Sequence, residues 1–228
     1  KLSPTRIARV IAQCEPDIVA LQEVDVGRRR TEHVDQALVI ARQLQMEHHF
    51  HPTFEVESEQ FGNAVLSRFP IELVCAARLP GPENGRTREP RSALWVSLNV
   101  NGETWQLLNV HLGLSPRERA IQMETLLGGQ WVGNPRFQEP HLLCGDLNTV
   151  PGSRPHRLLS ARLCDAPTQL ATRRRPRTFP SGVALVRLDH IFVGSKMKVL
   201  HAGVPSSVLA RVASDHLPLL VEVRLAGG

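Results

Sequence analysis

Short apolar runs that stop abruptly at an acid, an amide or a histidine recur along this chain, and they constrain its fold more than any other feature. They are Leu21-Gln22-Glu23, Leu108-Asn109-Val110-His111, Leu142-Leu143-Cys144-Gly145-Asp146-Leu147-Asn148, Val186-Arg187-Leu188-Asp189-His190-Ile191 and Ala213-Ser214-Asp215-His216-Leu217-Pro218. Each apolar part is strand-sized, and polar groups at strand ends are what a cleft along one rim of a sheet needs. A lone Asp-His pair is commonplace and carries little weight. Several strand ends converging on one rim describe a site. Its groups would be carboxylates, an amide and two imidazoles, with no acyl-enzyme nucleophile among them, a set suited to metal-assisted hydrolysis.

Helix and hairpin signals fill the intervals. Ser3-Pro4 offers a cap and a first-turn proline ahead of Ile7, Val10, Ile11 and Cys14, and Pro16 ends that helix. Asp35 opens a second helix running to Gln45, and Ser115-Pro116-Arg117-Glu118 is a capping box for a third that runs toward Leu127. A short helix is expected over 155–159. Strands are expected over 17–21, 61–67, 71–77, 93–100, 104–110, 141–144, 185–193, 198–202 and 217–223, with loops over 81–90 and around His48, His49 and His51. Asn101-Gly102 is the strongest hairpin signal, and that hairpin would carry Arg91 and His111 on neighbouring strands. Frequent hairpins argue against a purely parallel doubly wound sheet and for two mixed sheets with helices outside.

With 228 residues, 42% of them hydrophobic, the chain can build one large domain with its own core. No apolar run approaches the roughly 20 residues of a membrane helix. The net charge of +5 suits a polyanionic partner such as nucleic acid or an anionic lipid surface. Arg28-Arg29-Arg30 and Arg173-Arg174-Arg175 are the basic runs that would touch phosphates, although a solvated charge run explains them as well. Having no tyrosine and only 4% aromatic residues, the chain is a poor stacking platform for single strands. Cys14, Cys75, Cys144 and Cys164 lack metal-type spacing and read as reduced thiols, which points to the cytoplasm.

Taken together, Ile18-Val19-Ala20-Leu21-Gln22-Glu23, Gly62-Asn63-Ala64-Val65-Leu66-Ser67-Arg68, Asn109-Val110-His111, Gly145-Asp146-Leu147-Asn148, Leu188-Asp189-His190-Ile191 and Ser214-Asp215-His216 closely resemble the endonuclease/exonuclease/phosphatase superfamily. The resemblance implies an α/β fold of α+β type, a DNase-like four-layer α/β/β/α sandwich of two packed mixed sheets. It implies a phosphoric ester hydrolase that uses Mg2+, with Mn2+ able to substitute. Glu23 and Asp215 would be carboxylates on the metal's side, and Asp146 and Asn148 would position water and a phosphate oxygen. His216 oriented by Asp189 would form a dyad, His111 would be the second catalytic histidine, and Asn63 and Arg91 would bind substrate.

The family's usual first strand would precede Ser3, so 1–228 reads as a single domain lacking that strand, and the protein is expected to be a monomer. The absence of tyrosine argues against the abasic-site endonucleases. A phosphodiesterase, nuclease included, is the leading expectation. A phosphomonoesterase or phospholipase C-like hydrolase and a non-catalytic binding domain are the alternatives.

Overall fold

A computed structural model describes residues 3–81, 89–171 and 175–226. Most of the 81–90 loop and Arg173-Arg174 of the second basic run therefore lie outside the described residues. The chain folds into two packed β layers with helices on both outer faces, the four-layer sandwich expected. Its first layer holds β1 (Ile18–Val26), β2 (Glu47–Val56) and β3 (Glu59–Ser67) in the antiparallel order β1-β3-β2, together with the antiparallel pair β10 (Met197–Gly203) and β11 (Leu220–Leu225). The second layer is one six-stranded mixed sheet in the order β4-β5-β6-β7-β9-β8. Its strands are β4 (Ile71–Leu79), β5 (Arg91–Val100), β6 (Glu103–His111), β7 (His141–Asp146), β8 (Cys164–Asp165) and β9 (Asp189–Val193).

Local chemistry sets the helices. In α1 (Pro4–Ala12) the Ser3 hydroxyl accepts from the Arg6 amide, and in α2 (Gln36–Leu44) Asp35 accepts from that of Leu38. The reciprocal capping box opens α3 (Pro116–Leu127), where the hydroxyl of Ser115 takes the Glu118 amide and the Glu118 carboxylate takes the Ser115 amide. Two short helices follow, α4 (Arg154–Ser160) and α5 (Val208–Ala213). The second of these was not anticipated, because Ser207 is its one clear signal in six residues. Among the described residues, no helix is long and apolar enough to cross a membrane.

Three apolar layers hold the sandwich together. Ala8, Ile11, Ile40 and Leu66 join α1 and α2 to the first sheet. Val65, Leu94, Val96, Trp105, Met197 and Val199 fill the space between sheets, and Trp95, Met123, Leu126, Leu143, Leu159 and Phe192 join the second sheet to α3 and α4. Each fully buried Val, Leu, Ile, Phe or Met side chain among them contributes about 1.5–3 kcal/mol.

Four sequence expectations change. His48, His49 and His51 lie in β2, where Pro52 and the polar alternation had disguised a strand. The strand expected over 185–193 begins only at Asp189, since Val186 makes an isolated bridge to Phe179. The last strand begins at Leu220, so Asp215 and His216 sit in the loop after α5. In β1 the chain does not stop at Glu23 but bulges there and continues to Val26. The Asn101-Gly102 turn is as expected, with both residues at positive φ between β5 and β6.

Among the described residues β1 pairs with β3 alone and β11 with β10 alone. Residues of both strands line a cavity of about 910 Å³, to which Ile7 and Val10 of α1, Ala210 of α5 and Leu107 and Cys144 of the second sheet also contribute.

Gly145 is the backbone position on which the site most depends. It has φ +137° and pairs with Val110 across β6 and β7, and a β-carbon there would meet the Val110 carbonyl oxygen at 1.9 Å. Gly145→Ala is expected to lower stability by more than about 2 kcal/mol. Thermal unfolding checks this, and an unchanged Tm would contradict it.

Candidate active site

Strand register builds the site. In the parallel pairing of β6 with β7, His111 stands opposite Asp146, and in the antiparallel pairing of β7 with β9, Asp146 stands opposite Asp189. Three adjacent strands thus end at one level with an imidazole and two carboxylates side by side. The loop after α5 brings His216 onto this row, its Nδ1 2.8 Å from Asp189 Oδ2 and its Nε2 3.9 Å from Asp146 Oδ2. His111 Nε2 lies 3.6 Å from the same Asp146 oxygen, so Asp146 is flanked by both histidines.

The two imidazoles are held in opposite states. His111 is buried, and its pKa is driven well below the ordinary value by that burial and by the positive charges of Arg91 and His216. The Arg91 Nη1 donates to its Nδ1 at 3.1 Å, which leaves the proton on Nε2, pointing at Asp146. For His216 burial opposes the charge, but the Asp189 hydrogen bond and the charges of Asp189, Asp146 and Asp215 outweigh it and push the pKa up to about 9. Burial and the neighbouring Asp189 raise the carboxyl of Asp146 to about 7, against the Asn148 amide that donates to its Oδ1 at 2.8 Å.

Glu23 reaches the row through the bulge in β1. The pairing of β1 with β3 slips between Leu21 and Val24, and Glu23 takes φ 58°, a conformation unfavourable for a non-glycine residue. The bulge directs its carboxylate to Arg91 Nη1 at 3.4 Å and His111 Nε2 at 3.9 Å. Burial raises its pKa, and the charges of Glu89 and Asp215 raise it further, against the attraction of Arg91. Asp215 is exposed, and it acts on Glu23 and His216 through its charge. Asn148, at φ 47°, donates its side-chain amide to the Leu112 carbonyl at 2.8 Å and lies 3.3 Å from His111 Nε2.

Asn63 stands apart from these contacts. Its amide nitrogen bonds the Ser92 carbonyl and hydroxyl at 3.1 and 3.2 Å. In the first basic run Arg28 and Arg30 both pair with the buried Asp25, Arg30 at 2.7 Å through two nitrogens, while Arg29 and Arg30 stay exposed. It is a partly solvated run anchored at two of its three arginines.

Three supporting residues were given no role by the sequence, although Asn109 stood in one of its motifs. Asn109, fully buried, ties β6 to the first layer by donating to the Leu21 and Ala64 carbonyls at 3.0 Å each and accepting from Gln22 at 2.7 Å. An amide inside an apolar run was the available signal. Thr178 accepts the amides of Leu188 and Asp189, and the Phe179 ring lies 4.8 Å from that of His216. Neither had a local sequence signature.

With this arrangement established, comparison with known proteins places the chain. Residues 1–216 match the model of the Endonuclease/Exonuclease/phosphatase family. The chain belongs to that family, whose members are hydrolases acting on phosphate esters. The uncharacterized protein YbhP of Escherichia coli (strain K12) is 34% identical over 173 residues, 72% of this chain and 63% of that protein. The chain thus spans less than two thirds of the length of this curated relative. Among solved structures, a conserved protein of unknown function from Enterococcus faecalis V583 superposes with a TM-score of 0.78 at 20% identity, covering 98% of this chain and 91% of that one. The mannosyl-6-phosphatase Bt3783 of Bacteroides thetaiotaomicron VPI-5482 gives 0.74 at 21% identity, covering 97% and 90%. At these identities the two structures share the fold.

Away from this rim lies a second titratable cluster, His156, Asp165 and His190, whose ligand-type atoms all fall within 4.8 Å of one another. Two donors share one oxygen of Asp165: Arg187 Nη2 reaches its Oδ2 at 2.5 Å and His156 Nε2 at 3.1 Å, while the buried Oδ1 has no hydrogen-bond partner among the described residues. The Gly152 amide donates to His156 Nδ1 at 3.3 Å, which keeps the proton on Nε2. A guanidinium and an imidazole N–H facing the carboxylate describe a buried ion-pair network joining α4, β8 and the segment before β9, not a cation cage. His190 donates Nε2–H to the Thr149 carbonyl at 2.9 Å.

Burial, with the charge of Arg187 adding to it, lowers the His190 pKa from 6.5 to about 4. The unfolded chain therefore takes up this proton first as pH falls. The resulting stability is complete above about pH 6.5 and is lost progressively between there and about 4. His190→Gln, which keeps a donor for Thr149, is expected to flatten the Tm against pH curve over that window by the equivalent of roughly 2–3 kcal/mol. Parallel curves for the two proteins would refute the assignment.

Proposed function

We propose that this protein is a divalent-metal-dependent phosphodiesterase. The observation carrying the reading is the Asp189–His216 pair at 2.8 Å set against Asp146, with a neutral, Arg91-bound His111 on its other side. A phosphodiester is anionic and resists attack, so its hydrolysis requires charge neutralisation, a base for water and a stabilised leaving oxygen. Asp146, its pKa raised to about 7, is suited to accept the proton of an attacking water that Asn148 helps to position. His216, kept cationic by Asp189, donates to a phosphate oxygen. His111 presents Nε2–H to the developing charge, and Arg91 holds that tautomer while adding its own positive charge.

The carboxylates fit a hard cation with oxygen ligands. The Glu23 pKa is raised first by desolvation and then by the charges of Glu89 and Asp215, a repulsion that a bound Mg2+ would relieve, and Mn2+ satisfies the same donors. Bound there, the ion would supply Lewis-acid stabilisation of phosphate charge. Glu23 and Asp215 are the residues we assign to hold it. Asn63, one residue along from Gly62 on β3 and bonded beside Arg91, supports the rim by fixing Ser92. The fold likeness to a mannosyl-6-phosphatase supports a second reading, a phosphomonoesterase acting on a small substrate.

A panel of bis-aryl phosphate, aryl monophosphate and plasmid DNA with Mg2+ separates these readings. Diester cleavage is expected, abolished by EDTA and reduced about 10²–10⁴-fold in His216→Ala. Preference for the monoester would establish the second reading, and equal rates in wild type and variant would remove His216 from the chemistry. Asp189→Asn is expected to lower the rate and shift its basic limb to lower pH, because the imidazolium loses its counter-charge. A pH profile identical to wild type would exclude that role.

A further inference from the structure

One side of the rim carries a surface that the hydrolytic reading leaves unused. Residues 178–186 form a tight hairpin, closed by the Thr178 and Phe179 amides on the Val186 carbonyl and by the Leu185 amide on that of Phe179. The hairpin is fastened to α5. Ser181 Oγ donates to the Arg211 carbonyl at 3.1 Å, Arg211 Nη1 donates back to the Ser181 carbonyl at 3.4 Å, and Ala184 packs with Ala210 and Ala213. Hairpin and helix therefore present one continuous outer face.

That face is aliphatic. Val183, Leu185, Val208 and Val212 are 64%, 61%, 82% and 58% exposed, against full burial of the core valines and leucines. Val208 and Val212 are one helical turn apart and share a side of α5. Single exposed aliphatics are ordinary, but four on one fastened unit mark a docking surface. The surrounding charge is mainly positive: Arg175, Arg177 and Arg211 are exposed, and the nearest exposed acid is Asp215, on the side toward the rim, whose carbonyl accepts the Ser181 amide at 2.7 Å. The position is also specific, since Phe179 at the base of the hairpin contacts the His216 ring.

We propose that this hairpin–α5 face docks on an anionic phospholipid bilayer. Branched aliphatic side chains enter the headgroup boundary while surrounding arginines meet lipid phosphates, the pattern of an interfacial surface. A protein partner with acidic residues is the competing occupant, and failure to bind the anionic vesicles in the experiment below would favour it over the bilayer. The docking stands on the surface alone. That it brings the Asp189–His216 pair to the headgroups rests additionally on the hydrolase reading.

The test is cosedimentation of the full chain with vesicles of phosphatidylcholine and of phosphatidylcholine with phosphatidylglycerol, in parallel with turnover of a soluble aryl phosphate. Binding to the anionic vesicles is expected, weakened by salt and by omission of phosphatidylglycerol. Val208→Asp/Val212→Asp is expected to reduce it at least about tenfold. The milder Val208→Ser/Val212→Ser pair, with Tm measured on both, separates lost docking from lost folding. Soluble turnover should be unchanged, so the hydrolase reading can fail while docking survives, and the reverse. Absence of binding to anionic vesicles, binding indifferent to both variants, or a concentration-dependent dimer that the variants abolish would overturn the proposal.

Discussion

Alignment of three strand ends is the constraint from which the rest of the site follows. Because β6 and β7 run parallel while β9 runs antiparallel to β7, the last residues of two strands and the first residue of a third meet at one level. His111, Asp146 and Asp189 come from distant parts of the chain and need no loop to bring them together. A one-residue slip in any pairing would turn a side chain to the opposite face of the sheet. Gly145 protects this register, being the residue whose missing side chain lets β7 close on the Val110 carbonyl.

Electrostatics then divides labour among similar groups. Two histidines share one carboxylate, yet burial and Arg91 keep His111 neutral while Asp189 keeps His216 charged. Asp146 between them has lost much of the solvation that makes an ordinary carboxylate a weak base. The divergence comes entirely from neighbours supplied by other strands and loops. The same physics explains why His156, Asp165 and His190 make an inert brace: there a guanidinium fills the place that would otherwise call for a cation.

Much of the first layer is organised around backbone that does not follow simple periodicity. The bulge in β1 carries Glu23 toward Arg91 and His111 where an unbroken strand would turn it aside. The hairpin beneath His216 and helix α5 are likewise short, local devices held by side-chain to backbone bonds. Residues 18–22 of β1, Ala210 and Ala213 of α5 and His216 line the cavity between β1 and β11.

Sequence alone determined the polar motifs, those of His111 and Asp146 as true strand ends, the three longer helices with their serine or aspartate caps, the Asn-Gly hairpin and the family, because each is written in residues within a few positions of one another. Glu23, His111, Asp146, Asp189 and His216 were legible as a set for the same reason. What tertiary structure decided was everything dependent on a partner distant in the chain: the register that aligns the row, the burial of Arg91 against His111 and the pairing of Arg30 with buried Asp25. It also settled β2 as the setting of the three histidines and tied Asn109 to Leu21 and Ala64. Those outcomes are energies of contact and desolvation between remote segments, and no local pattern records them.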